Sequence, residues 1–199
     1  YRLATEEDKA IYAEAEAALE ERLANWPYLE SPLPEEEIVK NARYMLPTNY
    51  GMTQWKELFN PRQQLALVTF LEKIKGVYER VHADVLDYES IVDRSESVDT
   101  DGITLAVLGY MAAALSRLLD YCTTLCVWVS NGEFMAHTFS RQALPMMWDY
   151  FEVNPMSGST GDWQGASEWI LRYIESNPAL CNAQSLAQNA SATSLPFPN

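Results

Sequence analysis

The residues of this chain best suited to recognition chemistry lie between Asn49 and Gln64, in the run Asn-Tyr-Gly-Met-Thr-Gln-Trp-Lys-Glu-Leu-Phe-Asn-Pro-Arg-Gln-Gln. Tyr50, Trp55 and Phe59 sit beside the cations Lys56 and Arg62. Aromatic faces next to cations suit a flat anionic partner, nucleic acid included. The commoner use of such residues is a helix start whose aromatics enter the core. The pair Arg62-Gln63 recurs as Arg141-Gln142 within Phe139 to Trp148. Arginine can hold guanine or a carboxylate through two hydrogen bonds, and glutamine can do the same for adenine. Two such pairs at helix starts could form a recognition surface, or could clamp helix termini from inside, which is the more frequent role.

Other chemistry has less to draw on. Cys122 and Cys126 stand one helical turn apart, but Cys181 is remote, and His82 and His137 have no ligand-spaced partner. Buried free cysteines are therefore expected rather than a metal set. Two histidines, no Gly-x-Ser-x-Gly and scattered carboxylates make no nucleophilic or acid–base constellation. Asp149 and Glu152, after Trp148, could accept from a base, but a capped surface pair is the plainer expectation.

Helices must position these groups. Thr5-Glu6-Glu7-Asp8 is a capping-box-like start, followed by an apolar stripe of Ile11, Ala15, Ala18, Leu19 and Leu23. Pro27, Pro32 and Pro34 interrupt the chain before a second acidic start at Glu35-Glu36-Glu37. Asn60 and Pro61 read as N-cap and first helical residue of a long helix. Its stripe runs Leu65, Val68, Leu71, Ile74, Tyr78, Val81 and Val85. A polar loop is expected from Tyr88 to Asp101, then a helix from about Gly102 to Ser130, apolar nearly all round and so central. Asn131-Gly132 stops it. Further helices are expected over Arg141–Phe151, with a kink or restart at Pro145, and over Trp163–Ser176, with Trp163, Ala166, Trp169, Ile170 and Tyr173 on the apolar side. Met156–Gly161 is a small-residue loop between them.

The whole is read as mainly α: an acidic N-terminal helix and Pro-rich arm over 1–40, a helical core over 41–177 and an extended segment over 178–199. The 199 residues suffice for a real core, and 48% hydrophobic with 12% aromatic content belongs to a folded protein. Three cysteines without a paired framework point to a reducing cytoplasm, and no signal peptide is visible at the acidic start. The apolar run Gly102–Ser116 is too short to span a bilayer, so no membrane is expected. The net charge of −14 argues against sequence-independent DNA binding. That charge is uneven. Residues 1–40 carry 11 acids and 4 bases, 41–82 carry 3 and 6, and 83–199 carry 14 and 4, so the one net-positive segment holds the aromatic run.

Three blocks resemble a known family. They are Tyr50-Gly51 with Trp55 and Leu58-Phe59-Asn60-Pro61-Arg62-Gln63; then Phe139 to Tyr150 with Glu152 and Asn154-Pro155; and Ser191-Ala192-Thr193-Ser194-Leu195-Pro196. Together they resemble large bacterial and archaeal adenine-specific DNA methylases containing a zinc ribbon, which are similar to S-adenosylmethionine-dependent amino-methyltransferases with a long insert. The resemblance implies methyl transfer to an exocyclic base amine, which requires a flipped base. Such proteins carry a Phe-x-Gly-x-Gly cofactor loop upstream and a catalytic Asp-Pro-Pro-Tyr downstream. Neither occurs here, so the chain is expected to be an internal, non-catalytic segment that cannot methylate alone, with the zinc ribbon outside it. S-adenosylmethionine is implied for the parent protein. Ser191 stands where amino-methyltransferases commonly place an acid near the cofactor adenine, a departure that leaves one hydroxyl for contact.

Position between cofactor loop and catalytic motif implies target recognition, with Trp55, Lys56, Arg62, Gln63, Arg141 and Gln142 as candidate DNA contacts. The alternative is a structural or protein-interaction module without DNA contact. Its acidic arms, Thr5–Glu21 and Glu30–Glu37, would suit a basic partner, and family association implies anti-phage defence.

Overall fold

Asn60 caps the helix that begins at Pro61. Its side chain accepts the Gln63 N–H at 3.0 Å while Gln63 Oε1 accepts the Asn60 N–H at 2.9 Å, a reciprocal capping box with Pro61 in the first turn. A computed structural model describes residues 2–41, 43–91 and 99–177, the last three of the middle stretch by backbone alone. The fold is mainly α. Its helices are α1 (Glu6–Ala24), α2 (Pro61–Gly76), α3 (Tyr78–Ile91), α4 (Thr100–Tyr121) and α5 (Trp163–Ser176). Two 3-10 turns, Leu46–Tyr50 and Trp55–Leu58, precede α2, and a hairpin of β1 (Val127–Val129) and β2 (Phe134–Ala136) follows α4.

α1 begins as expected, with Thr5 and Asp8 capping each other's backbone. It packs on α2. The inward face differs from the expected stripe: Ile11 and Ala18 are exposed, while Tyr12 turns inward because its ring lies under the Arg62 guanidinium. The following strap crosses the 3-10 region through Ile38 N–H to Thr53 O, Trp55 N–H to Glu36 O and Lys56 N–H to Pro34 O. Ile38 thus enters the core, so both α1 and the strap after it are built onto the rest.

The long stripe from Leu65 to Val85 forms two helices. α2 closes at Gly76, the poorest helix former of the run, where the Val77 N–H tightens onto Ile74 O, and α3 starts at Tyr78. α3 continues to Ile91, through the region expected to begin a loop. α4 ends at Tyr121 rather than near Ser130. Beyond it, Thr123 turns its hydroxyl to the Leu125 N–H, and Thr124 gives both N–H and hydroxyl to Leu58 O, at 2.8 and 2.9 Å. These β-branched residues find better partners outside a helix. Asn131-Gly132 then makes a hairpin turn rather than a helix stop, pairing Trp128 with Met135.

Nor is α4 central. Only Thr104, Ala114 and Leu118 are buried along it, and Ile103, Leu105 and Tyr110 are exposed. At 22 residues it is long and apolar enough to cross a membrane, with 17% of its most apolar window buried, yet it packs against α2, α3 and α5. Tyr78 and His82 of α3 reach Asp101 in its first turn. α5 occupies the expected residues, capped by buried Asp162, but presents Trp163, Ala166 and Ile170 inward and leaves Trp169 and Tyr173 exposed. Gly161 before it has φ +86, and a Cβ there would stand 2.9 Å from Tyr121 Cβ, so only glycine lets α5 start against the end of α4.

The core lies in three patches. Ile38, Leu58, Phe59, Leu125 and Leu144 form the first; Leu118, Cys122 and Ala166 the second; Cys126, Met135 and Val153 the third. Leu118 is fully buried between α2, α4 and α5, so Leu118→Ala is expected to destabilise the fold by about 2–5 kcal/mol. Urea unfolding followed by circular dichroism measures this as a lower midpoint at unchanged slope.

Candidate functional site

The residues singled out at the start of α2 meet residues ninety positions later in the chain. Asn60 Nδ2 donates to Tyr150 Oη and to Glu152 Oε2, both at 3.0 Å. Arg62 Nη2 donates to the same carboxylate oxygen at 2.7 Å, and its guanidinium carbon lies 5.2 Å from the Tyr12 ring centre. The Glu152 hydrogen bond raises Arg62 above the ordinary guanidinium value, against the opposing effect of its partial burial. Burial is the first cause that raises Tyr12 above the usual phenol range, followed by the nearby Tyr150. Arg62 is therefore held by a carboxylate and a ring of its own chain.

Beside this anchor opens a cavity of about 380 Å³, lined by Arg62, Gln63, Cys122, Glu152, Val153 and Asn154 among others. Gln63 is buried, with 3% of its surface exposed, and its Nε2 has no partner; Arg62 Nε is likewise buried and unpaired. Burial, then the neighbouring Cys126 and Glu152, pushes the Cys122 thiol up to about 12. Cys122 and Cys126 are both free and buried. The Cys126 sulfur lies 3.2 Å from the Thr138 hydroxyl, within the hydrogen-bonded group that joins Thr123 to Thr138 at 2.6 Å. His137 faces Asp120 at 2.9 Å. Among the described residues no three metal-ligating side chains come together.

The remaining sequence candidates scatter. Trp55 is half-buried against the first core patch, 6.4 Å from Phe139. Lys56 pairs with Glu35 at 3.0 Å, while its carbonyl accepts from Gln64. Arg141 and Gln142 are exposed, but on no helix: residues 141–151 are irregular, in place of the expected helix. The cause is local. Leu144 precedes Pro145, which disfavours the helical conformation, and its backbone instead joins Tyr44 O and the Leu46 N–H around a bridge to Met45. Ser191 lies outside the described residues.

That bridge gathers a second group. Arg43 and Tyr44 precede Met45, with the guanidinium 5.3 Å from the Tyr44 ring centre, and Arg141-Gln142 precede Leu144. Tyr50 meets Trp148 edge-on at 5.0 Å, and Trp148 is 75% exposed. Sequence reasoning missed this edge because only the pairing of two distant irregular segments creates it; the available signal was Arg43 in the net-positive segment and Trp148 beside Arg141. It also missed Tyr12, Tyr150 and Asn154 around α2.

Replacing Asn60 with Ala removes a cap acceptor and two side-chain donations at once. A loss of about 2–4 kcal/mol is expected, read from chemical unfolding. The raised Cys122 value has its own consequence. An unfolded thiol loses its proton near about 8.5 while the folded one holds it to about 12, so the unfolded state gains and stability falls as pH rises through that window. Native protein at pH 8 should therefore react with a thiol reagent at Cys122 only after denaturant is added, as peptide mapping would show. Comparison of the chain with protein-family models, with curated proteins and with solved structures returned no match.

Proposed function

We propose that this chain is a non-catalytic helical segment of an S-adenosylmethionine-dependent DNA amino-methyltransferase, and that it positions target DNA through the edge around the Met45–Leu144 bridge. The resemblance of its three blocks supports the family. The observation that carries the role is the exposed set Arg43, Tyr44, Tyr50, Arg141, Gln142 and Trp148 about that edge, in a chain whose net charge is −14. Arginines beside open aromatic rings can engage phosphates and stack on unpaired bases. The acidic remainder repels the duplex elsewhere, so contact is confined to one orientation. Arg62, Gln63 and Lys56 are left out of this contact set, since their side chains are engaged with Glu152, Asn60 and Glu35. S-adenosylmethionine would supply the methyl group from other parts of the parent protein, and none of the residues described here is assigned to it.

A second reading, docking to protein rather than DNA, draws on the exposed apolar residues Leu105 and Tyr110 of α4 and Trp169, Leu171 and Tyr173 of α5. Exposed large apolar side chains on two packed helices offer surface that a protein partner could cover. Under that reading the segment holds the two methyltransferase halves together without touching DNA.

Fluorescence anisotropy of a labelled duplex separates the two. Binding at low salt that weakens at moderate salt and is lost in the Arg43→Ala, Arg141→Ala double variant is the expected result. Arg62→Ala should lower thermal stability and leave residual binding to folded protein intact. A folded chain that ignores duplex at low salt, or a double variant that binds as well as the parent, would leave the docking role.

A further inference from the structure

We propose that the groove between α2, α4 and α5 binds a linear amphiphile, an acyl chain that ends in a carboxylate. The groove holds about 580 Å³, within the range of roughly 300–1,000 Å³ typical of small-ligand sites. Its walls come from separate parts of the molecule. Phe70 of α2 and Trp163 of α5 stack at 4.8 Å, and Ile74 follows one turn further along α2. Met111 of α4 and Met156 of the loop before α5 complete the lining, and Met156 is 72% exposed. Methionine side chains adapt readily to the shape of an apolar guest. The Thr69 hydroxyl donates to Leu65 O at 2.6 Å, so its polar atom is already satisfied within the helix. Lys73 is the one charged residue of the wall.

That lysine sets the chemistry of the head group. The positions one helical turn away from it are Thr69, Phe70, Gly76 and Val77, so α2 offers it no carboxylate at the spacing where side chains meet. Its neighbours are engaged: Arg22 with Glu72, Arg62 with Glu152, and Lys75 over the Tyr28 ring at 4.2 Å. Among the described residues Lys73 makes no ion pair. In a chain with 28 acids and 14 bases, a lysine left open beside an apolar groove complements one negative charge on an apolar body. The net charge of −14 repels anions at long range, so apolar contact brings most of the affinity and Lys73 selects the head. The dimensions favour a small amphiphile over a protein segment. A docked helix is about 10 Å across and needs a longer open face than a groove walled on α2, α4, α5 and a loop provides. Neither Arg43 nor Arg141 lines this groove, so the site stands or falls separately from the DNA edge proposed above.

The test is a titration of the chain, ¹³C-labelled at its methionine methyl groups, with hexanoate, octanoate and decanoate below micelle formation; decan-1-ol is the uncharged comparison. The Met111 and Met156 signals are expected to shift saturably, and affinity to rise with length by up to about fourfold per methylene buried. Decanoate should bind more tightly than decan-1-ol. Lys73→Met keeps an apolar stem without the charge, and should weaken decanoate by about threefold while leaving decan-1-ol unchanged. Ala66→Leu narrows the groove and should abolish the response. Met111→Trp, read at Met156, decides the matter should Ala66→Leu unfold the chain. The proposal is overturned if no carboxylate moves either signal at millimolar concentration, or if decan-1-ol binds as well as decanoate. It is equally overturned if Lys73→Met leaves decanoate binding unchanged, or if a folded, groove-filled variant responds like the parent. Signals that move with protein concentration instead, together with faster sedimentation, would assign the groove to a second copy and overturn it too. So would an amphipathic helical peptide that moves the signals where decanoate does not.

Discussion

Asn60 is the constraint on which the rest of the structure hangs. Its backbone and side chain complete the capping box of α2, and the same carboxamide reaches across to Tyr150 and Glu152. A local signal, a helix start, is thus bound to a remote one, the irregular chain after Trp148. Each hydrogen bond contributes only about 1 kcal/mol on average, but these share one buried side chain and cannot be lost singly. Arg62 adds a charged bond to the same carboxylate and extends the tie to Tyr12 on α1. Three separate parts of the chain are in this way referred to one point.

What could be read from the sequence was what local chemistry decides. Thr5, Asn60 and the periodic run from Trp163 fixed three helix starts, because capping depends on residues a few positions apart. The errors came where tertiary partners outvoted propensity. Thr124 leaves the expected helix for Leu58 O, and Leu144 leaves another for Met45. Neither partner is visible from within its own window. Trp169 and Tyr173 followed the helical period yet face outward, since α5 narrows its buried stripe to Trp163, Ala166 and Ile170. At the site, the Arg-Gln pair of α2 was legible as residues of interest, but its fate was set by Glu152 and Tyr12, which no spacing rule connects to it.

The charge distribution takes on a sharper meaning once partners are known. Arg22 pairs with Glu72, Lys56 with Glu35 and Arg62 with Glu152, while Lys75 lies over Tyr28 and Arg117 over Trp169. Exposed pairs of this kind add about 0–1 kcal/mol each to stability. Within residues 41–82 the pairs of Lys56 and Arg62 cancel, close to the surface, part of the positive potential that a count of lysines and arginines would credit to that segment. The cations that remain open at the Met45–Leu144 bridge therefore matter beyond their number.

The first core patch has a consequence for how the molecule comes into being. In synthesis Ile38, Leu58 and Phe59 emerge before Leu125 and Leu144, the residues that cover them. Long-range closures of this kind slow folding, because the loop must be ordered before its contacts form. The 3-10 turns and the strap at residues 34–38 therefore stand with apolar surface open while the three following helices are made. A nascent chain with such a delay leans on its helices, which form from local contacts, and on chaperones that shield the waiting patch. Truncation before Leu144 would leave not a smaller folded domain but a chain whose first core was never closed.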